Sequence, residues 1–191
     1  MKSVCVFTGS STGICPEHHV MADRLGRCIA ERGLELVYGA GNVGLMGVLA
    51  DAALSAGGRV TGVIPSLLVD MEVAHSGLTE LHVVNSMHER KELMLASSDA
   101  FVALPGGFGT LDELFEVLTH GQLGFHHKPC GVLNVGGFFD QLLLFLDFMM
   151  SQEFVKPIHR DMLIVDHSPE NLLNSLARYE APQTGKWIGR D

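Results

Sequence analysis

Apolar residues fall into short blocks separated by amphipathic stretches, and this alternation runs along most of the chain. The blocks at 3–8, 34–38, 59–64, 81–85, 100–104, 128–135 and 162–165 are of strand length. Several are apolar without interruption, as expected of strands buried on both faces of a parallel sheet. Between them, residues 16–32, 44–56, 86–98, 138–152 and 168–178 read as helices, and from 110 onward Leu111, Leu114, Phe115 and Leu118 share one helical face. The punctuation agrees with this reading. Pro16 sits in a first helical turn with Gly33 beyond the end, Gly57 and Gly58 close the next helix, and Ser168 caps the last. Residues 65–77 show no period and read as a loop with a short helical turn. Residues 180–191, with Pro182, Gly185 and Gly189, read as an irregular tail that Trp187 pins. Strands alternating with helices, undivided by linker or repeat, predict a doubly wound, largely parallel α/β sheet of about seven strands with helices on both faces. Such Rossmann-like sheets take ligands beyond the carboxyl ends of their strands, where the glycine-rich turns of this chain fall.

The stretch 100–119, AFVALPGGFGTLDELFEVLT, concentrates the candidate chemistry. An apolar strand ends at Pro105. Gly106, Gly107 and Gly109 then supply a turn without Cβ atoms, and a helix follows. Backbone N–H groups gathered at a helix start form a phosphate site. Asp112, Glu113 and Glu116 load the same helix with negative charge, which repels a phosphate unless cations stand opposite. Thr110 to Glu113 also fits a T-x-x-E capping box, so Glu113 has a purely structural reading beside a chemical one. A second box, Ser86 to Glu89, opens the preceding helix, on which Met87, Arg90 and Met94 share a face with Lys91 adjacent. Arginine grips carboxylate or phosphate with two parallel bonds and is costly to bury unpaired; the structural alternative is a solvated Arg–Lys pair.

S-M-H-x-R-K, at 86–91, followed by P-G-G-x-G-T-x-x-E, at 105–113, resembles the LONELY GUY family of cytokinin-activating phosphoribohydrolases. The similarity extends from Ser3 to about Val165. It implies hydrolysis of the N-glycosidic bond of nucleoside 5′-monophosphates, including N6-modified adenosine monophosphates, to free base and ribose 5-phosphate. It further implies a catalytic pair of Arg90 and Glu113, with Glu113 at the ribose as electrostatic stabiliser or general base. Gly107, Phe108, Gly109 and Thr110 become the 5′-phosphate cradle. Gly106, Leu111, Asp112, Lys91 and Thr119 join them as substrate contacts, as does Glu72, from E-V-A-H at 72–75 matching the family's E-[IV]-[AG]-H. No metal or redox cofactor is needed. The expected assembly is a homodimer with the site near the interface, and residues 1–179 form a single nucleotide-processing domain followed by the tail at 180–191.

Two other glycine turns are less specific. Residues 9–13, GSSTG, depart from a dinucleotide fingerprint because Ser11 and Ile14 stand where glycines are required. A hydroxyl-rich turn can still hold an anion or a ribose edge. Residues 39–47, GAGNVGLMG, mimic a Walker A loop but place Leu45 and Met46 where Lys and Ser/Thr must stand, so nothing there holds a γ-phosphate and Mg²⁺. The stretch resembles the family's G-G-G-x-x-G-L-M-G, with Ala40 in place of one glycine. Its glycines equally allow close helix–strand packing.

Composition narrows the field. A net charge of −9, with no basic block, argues against nucleic acid as a partner. Cys5, Cys15, Cys28 and Cys130 lack C-x-x-C or metal-site spacing, and no signal-peptide pattern precedes the first strand, so reduced thiols in a cytoplasmic protein are expected. The longest apolar segment, 138–150, is too short to span a bilayer and contains Asp140, Gln141 and Asp147. The ten histidines, including the adjacent pairs His18–His19 and His126–His127, read as scattered surface residues. Three rivals remain: a nucleotide-binding regulatory module without chemistry, a nicotinamide-dependent oxidoreductase disfavoured by the broken fingerprint, and a lysine decarboxylase. The last normally requires a pyridoxal phosphate Schiff base, for which only Lys91 among five lysines sits in a plausible place.

Overall fold

The computed structural model describes residues 1–69, 71 and 74–182. Seven strands form one parallel sheet: β1 (Ser3–Phe7), β2 (Glu35–Tyr38), β3 (Val60–Pro65), β4 (Glu80–Val84), β5 (Ala100–Ala103), β6 (Cys130–Leu133) and β7 (Leu163–Asp166). Their order is β4-β3-β2-β1-β5-β6-β7. Every residue of β1, β3, β5 and β6 is buried, which is why these strands read as continuous apolar runs. Their side chains still divide between two cores. Val4 and Val6 face a core with Leu25, Leu49 and Leu172, from α1 (Pro16–Glu31), α2 (Gly44–Ser55) and α7 (Pro169–Ala177). Cys5 and Phe7 face the other, with Met94, Leu114 and Leu146, from α3 (Met87–Ala96), α4 (Phe108–Gln122) and α5 (Asp140–Ser151).

From β1 the chain winds outward through β2, β3 and β4, then returns to add β5, β6 and β7 on the other side. The direction of winding changes between β1 and β5, so the turns leaving those two strands part and leave a crevice at their carboxyl ends.

Three local expectations are corrected. α4 begins at Phe108 with Gly107 as its N-cap, so Thr110 lies inside the first turn and the box from Thr110 to Glu113 does not form. Thr110 is buried instead, its hydroxyl filling the space a side chain on Gly106 would need: a Cβ there would stand 2.1 Å from Oγ1. A short helix, α6 (Pro157–Arg160), escaped the periodicity because it is only 4 residues long. The histidines are not all on the surface, since His18 and His75 are buried. The box at Ser86 does form, with the Ser86 hydroxyl accepting from the Glu89 N–H at 3.1 Å. Ser66–Leu68 makes the short helical turn expected in the loop after β3. Glu72 and Trp187 lie outside the described residues. Among the described residues no helix is long and apolar enough to cross a membrane.

Candidate active site

The crevice between the β1 and β5 turns encloses a cavity of about 250 Å³. Backbone approach builds it. The Gly9 N–H and the Thr8 hydroxyl both donate to the Pro105 carbonyl at 3.2 Å, tying the two turns together. The Leu45 N–H donates to the Gly9 carbonyl at 3.1 Å, which brings in the start of α2. Gly44 permits this contact, with φ of +59° and room for only a hydrogen, because a Cβ would lie 2.2 Å from the Ser10 carbonyl carbon. The packing explanation therefore accounts for that glycine. Ser10, Ser11 and Thr12 line one wall, Gly106 and Gly107 another, and His18 and Phe138 close the side.

Arg90 reaches the same end of the sheet from α3. Only 6 % exposed, it donates from Nη2 to the Gly39 carbonyl at 3.1 Å and rests Nη1 against the Met87 sulfur at 3.8 Å. Its Nε has no hydrogen-bond partner among the described residues. The structural alternative of a solvated Arg–Lys pair does not hold for Arg90: the guanidinium is inside, partly satisfied, and buried charge of this kind needs a further partner. The carbonyl that holds it is itself fixed. Ala40 adopts φ of +62°, in the left-handed region, and its own carbonyl accepts the His75 N–H at 3.0 Å. His75 is pinned in turn, Nδ1 accepting from the Gly77 N–H and Nε2 facing Asp51 Oδ1, both at 3.0 Å.

Glu113 is half-buried on α4, and its charge is felt at the Cys5 thiol on the central strand. Burial is the main cause that raises the Cys5 pKa; Glu113 raises it further, while Arg90 lowers it. The helices that carry the two groups, α4 and α3, pack on the same side of the sheet and are joined by the Lys91 ion pairs to Asp112 and Glu116.

The remaining expected contacts do not all gather in one place. Gly106 and Gly107 line the crevice. Phe108, Leu111, Asp112 and Thr119 instead line, with Phe115 and Glu116, a shallower depression of about 490 Å³ along the outer face of α4. Phe108 is 94 % exposed there. Thr110 is buried and Gly109 is exposed on the first turn. Lys91 sits between the acids of α4, its Nζ 3.0 Å from Asp112 and 3.3 Å from Glu116. Burial pulls its pKa down, but bonds to Asp112 and Glu116 outweigh that, so the ammonium is held above its ordinary value. Lys91 thereby neutralises much of the charge that weighed against a phosphate site.

The sequence does not single out His18 or Phe138, although the turn at 9–13 reads as one able to hold an anion or a ribose edge. The reason is packing at long range. α1 starts at Pro16, which turns His18 inward and leaves His19 exposed. His18 meets Phe138 edge to face, with centroids 5.7 Å apart. Among the described residues no group of three or more His, Cys, Asp or Glu is placed to hold a metal ion. All four cysteines are free, and burial pushes the Cys5 and Cys130 thiols well up, so neither is a ready nucleophile.

Fold and crevice together define a Rossmann-like α/β protein with a glycine-built site at the switch point of its sheet. Residues 46–176 match a family model described as "possible lysine decarboxylase". The chain is 46 % identical over 181 residues to a probable cytokinin riboside 5′-monophosphate phosphoribohydrolase of Oryza sativa subsp. japonica, covering 95 % of this chain and 74 % of that one. It is 50 % identical over 165 residues to the cytokinin riboside 5′-monophosphate phosphoribohydrolase of Rhodococcoides fascians, covering 86 % and 83 %. The chain belongs to the LONELY GUY family of phosphoribohydrolases. Among solved structures, the molybdenum cofactor binding protein of Rippkaea orientalis superposes with a TM-score of 0.69 at 25 % identity, covering 93 % of this chain and 96 % of that one. That likeness supports the fold.

Proposed function

We propose that this protein hydrolyses the N-glycosidic bond of adenosine 5′-monophosphates, N6-modified ones included, to free base and ribose 5-phosphate. The observation that carries the reading is that Glu113 and the buried, incompletely satisfied Arg90 sit on α4 and α3, two helices joined by Lys91 on one side of the sheet, in a protein whose α4 starts at a glycine-built crevice. The reaction adds water across one bond. The C1′–N bond breaks with its electron pair going to the base and the water oxygen bonds to C1′; one of the water's protons stays on that oxygen as the C1′ hydroxyl, and the other passes, through a carboxylate or solvent, to the departing base. Positive charge builds on the C1′–O4′ unit as the base leaves. Glu113 stabilises that charge or takes the proton of the attacking water. Arg90 balances Glu113 and orients the substrate, while the α4 N-terminus holds the phosphate, so remote binding positions the reacting carbon. Lys91, Asp112, Thr119 and Glu72 serve as further substrate contacts.

The decarboxylase label of the family model finds no support at Lys91. A Schiff-base lysine needs a neutral amine, and this one is kept charged by Asp112 and Glu116. We further read residues 1–179 as one nucleotide-processing unit that acts in the cytoplasm as a homodimer. The exposed apolar side chains of Leu144, Phe145 and Phe148 on α5 and Phe108 on α4 support a covering partner.

Incubation of the purified protein with AMP and with isopentenyl-AMP, quantifying free base and ribose 5-phosphate, tests the activity. Both products in equal amounts are expected. Tight nucleotide binding with no released base would replace the enzyme by a regulatory binding module.

A further inference from the structure

A nucleoside monophosphate brings a dianionic phosphate to a chain whose net charge is −9. Of the two basic side chains assigned to the site, Lys91 is held by Asp112 and Glu116, and Arg90 is turned to the Gly39 carbonyl beyond β2. Neither lines the crevice between the β1 and β5 turns. His18 does.

His18 is 9 % exposed, and its ring nitrogens have no hydrogen-bond partner among the described residues. Its ring is fixed edge to face with Phe138, the two planes at 87°. Gly13, at φ of +68°, keeps the space beside the ring open, since a Cβ there would stand 3.0 Å from Nδ1. Although the residue as a whole is buried, its ring nitrogens are not among the polar atoms sealed from solvent, so they remain reachable by a ligand in the cavity that His18 lines. Across the cavity stand the turn at Gly106 and Gly107 and the start of α4, whose N-cap has no side-chain hydrogen bond, together with the hydroxyls of Ser10, Ser11 and Thr12. The side chains of Ser10, Ser11, Thr12 and His18 and the N–H groups at the start of α4 can all donate hydrogen bonds, which is the chemistry of an anion site.

We propose that His18 is a phosphate-contacting residue, donating a ring N–H to a phosphate oxygen held against the N-terminus of α4. That the ligand is a nucleotide's 5′-phosphate rests on the phosphoribohydrolase reading; that the site takes a phosphate ester does not. His18 thereby supplies a side-chain donor inside the crevice, which neither Lys91 nor Arg90 lines.

Calorimetric titration of ribose 5-phosphate, inorganic phosphate and adenine, each alone, into the wild-type protein, His18→Ala and His18→Gln tests this. In His18→Ala the two phosphates are expected to bind about 10- to 100-fold more weakly, the range for a hydrogen bond to a charged group. Adenine binding stays unchanged, and His18→Gln, whose amide still donates, recovers part of the loss. With AMP as substrate the same variant raises KM by a similar factor and leaves kcat within about twofold, the pattern of a lost binding contact. The imidazole C–H resonance of His18, assigned by its absence in His18→Gln, shifts when inorganic phosphate is added to the wild type. Undiminished phosphate affinity in both folded variants overturns the proposal. So does loss of adenine binding in place of phosphate, or a wild type that binds neither phosphate. Phosphate binding through His18 without any base release would instead sink the hydrolase reading and leave this one standing.

Discussion

Arg90 Nη2 and the Gly39 carbonyl oxygen lie 3.1 Å apart, and Gly39 can offer that carbonyl only because it has no side chain. A Cβ on Gly39 would fall 1.8 Å from Nη2 and 3.0 Å from Cζ. The atoms it meets are the far end of a flexible side chain, so the guanidinium would move before the sheet did. Gly39→Ala is therefore expected to lower kcat/KM for AMP hydrolysis by about 10²-fold, as misplacement of a positioned group by an ångström does. Its melting temperature should stay close to that of the wild type. Unchanged turnover in a folded Gly39→Ala protein would show that the placement of Arg90 is not needed.

Glu113 poses a sharper question now that α4 is known to start at Phe108. The capping role would have required Thr110 at the N-cap, and Gly107 occupies that place. Glu113→Gln keeps the side chain's size and removes its charge. It is expected to reduce turnover by about 10²–10³-fold, as removal of one preorganised electrostatic group commonly does, with thermal stability retained. Steady-state kinetics beside a melting curve decide it; a loss of stability with kcat preserved would return Glu113 to a structural role.

What the sequence made legible follows from which signals are local. Strands buried on both faces must be continuously apolar, so Val4 to Phe7 and Ala100 to Ala103 announced a parallel sheet without any knowledge of their neighbours. Ser86 announced its helix because its own side chain makes the capping bond. Gly107 caps with no side chain at all, and Thr110, three residues on, imitated the usual signal. Burial of His18 depends on Phe138, a residue far away in sequence, and the hold on Arg90 depends on the carbonyl of Gly39. Neither contact leaves a local pattern. The split of the expected contacts between the crevice and the outer face of α4 was likewise hidden, because it depends on the helix's start as well as on its spacing.

The outer face of α5 gives a prediction about assembly. Leu144, Phe145 and Phe148 are 61 %, 56 % and 56 % exposed on one helix, more apolar surface than a monomer usually leaves to water in one place. Light scattering of the wild type is expected to give about twice the 20.7 kDa chain mass. A Phe145→Glu, Phe148→Glu double variant, charged on positions that are not part of the core, is expected at the monomer mass with its far-ultraviolet spectrum unchanged. A monomeric wild type would remove the dimer, and a variant that stays dimeric would move the interface off α5.

Acid stability should depend on Glu170, which ties α7 to α1. The Ser168 hydroxyl donates to its Oε2 at 2.7 Å, Arg24 Nε to Oε1 at 2.8 Å, and the Cys28 thiol to Oε1 at 3.2 Å. The Ser168 bond is the largest cause that lowers the Glu170 pKa from an ordinary 4.5 to about 2, partly opposed by burial and assisted by Arg24 and Cys28. The folded state therefore prefers the carboxylate more strongly than the unfolded state does. For a depressed acid the stabilisation is complete above the unfolded value, near pH 4.5, and is lost as pH falls toward about 2. The side chain is 37 % exposed, so solvent screening limits its worth to about 1 kcal/mol or less. Glu170→Gln is accordingly expected to lower the melting temperature at pH 7 by no more than about 2–4 °C. The gap between variant and wild type should shrink as pH is lowered from 4.5 and close near 2, as followed by melting curves across that range. A gap that is the same at every pH would mean that Glu170 stabilises the α1–α7 contact by shape rather than by charge.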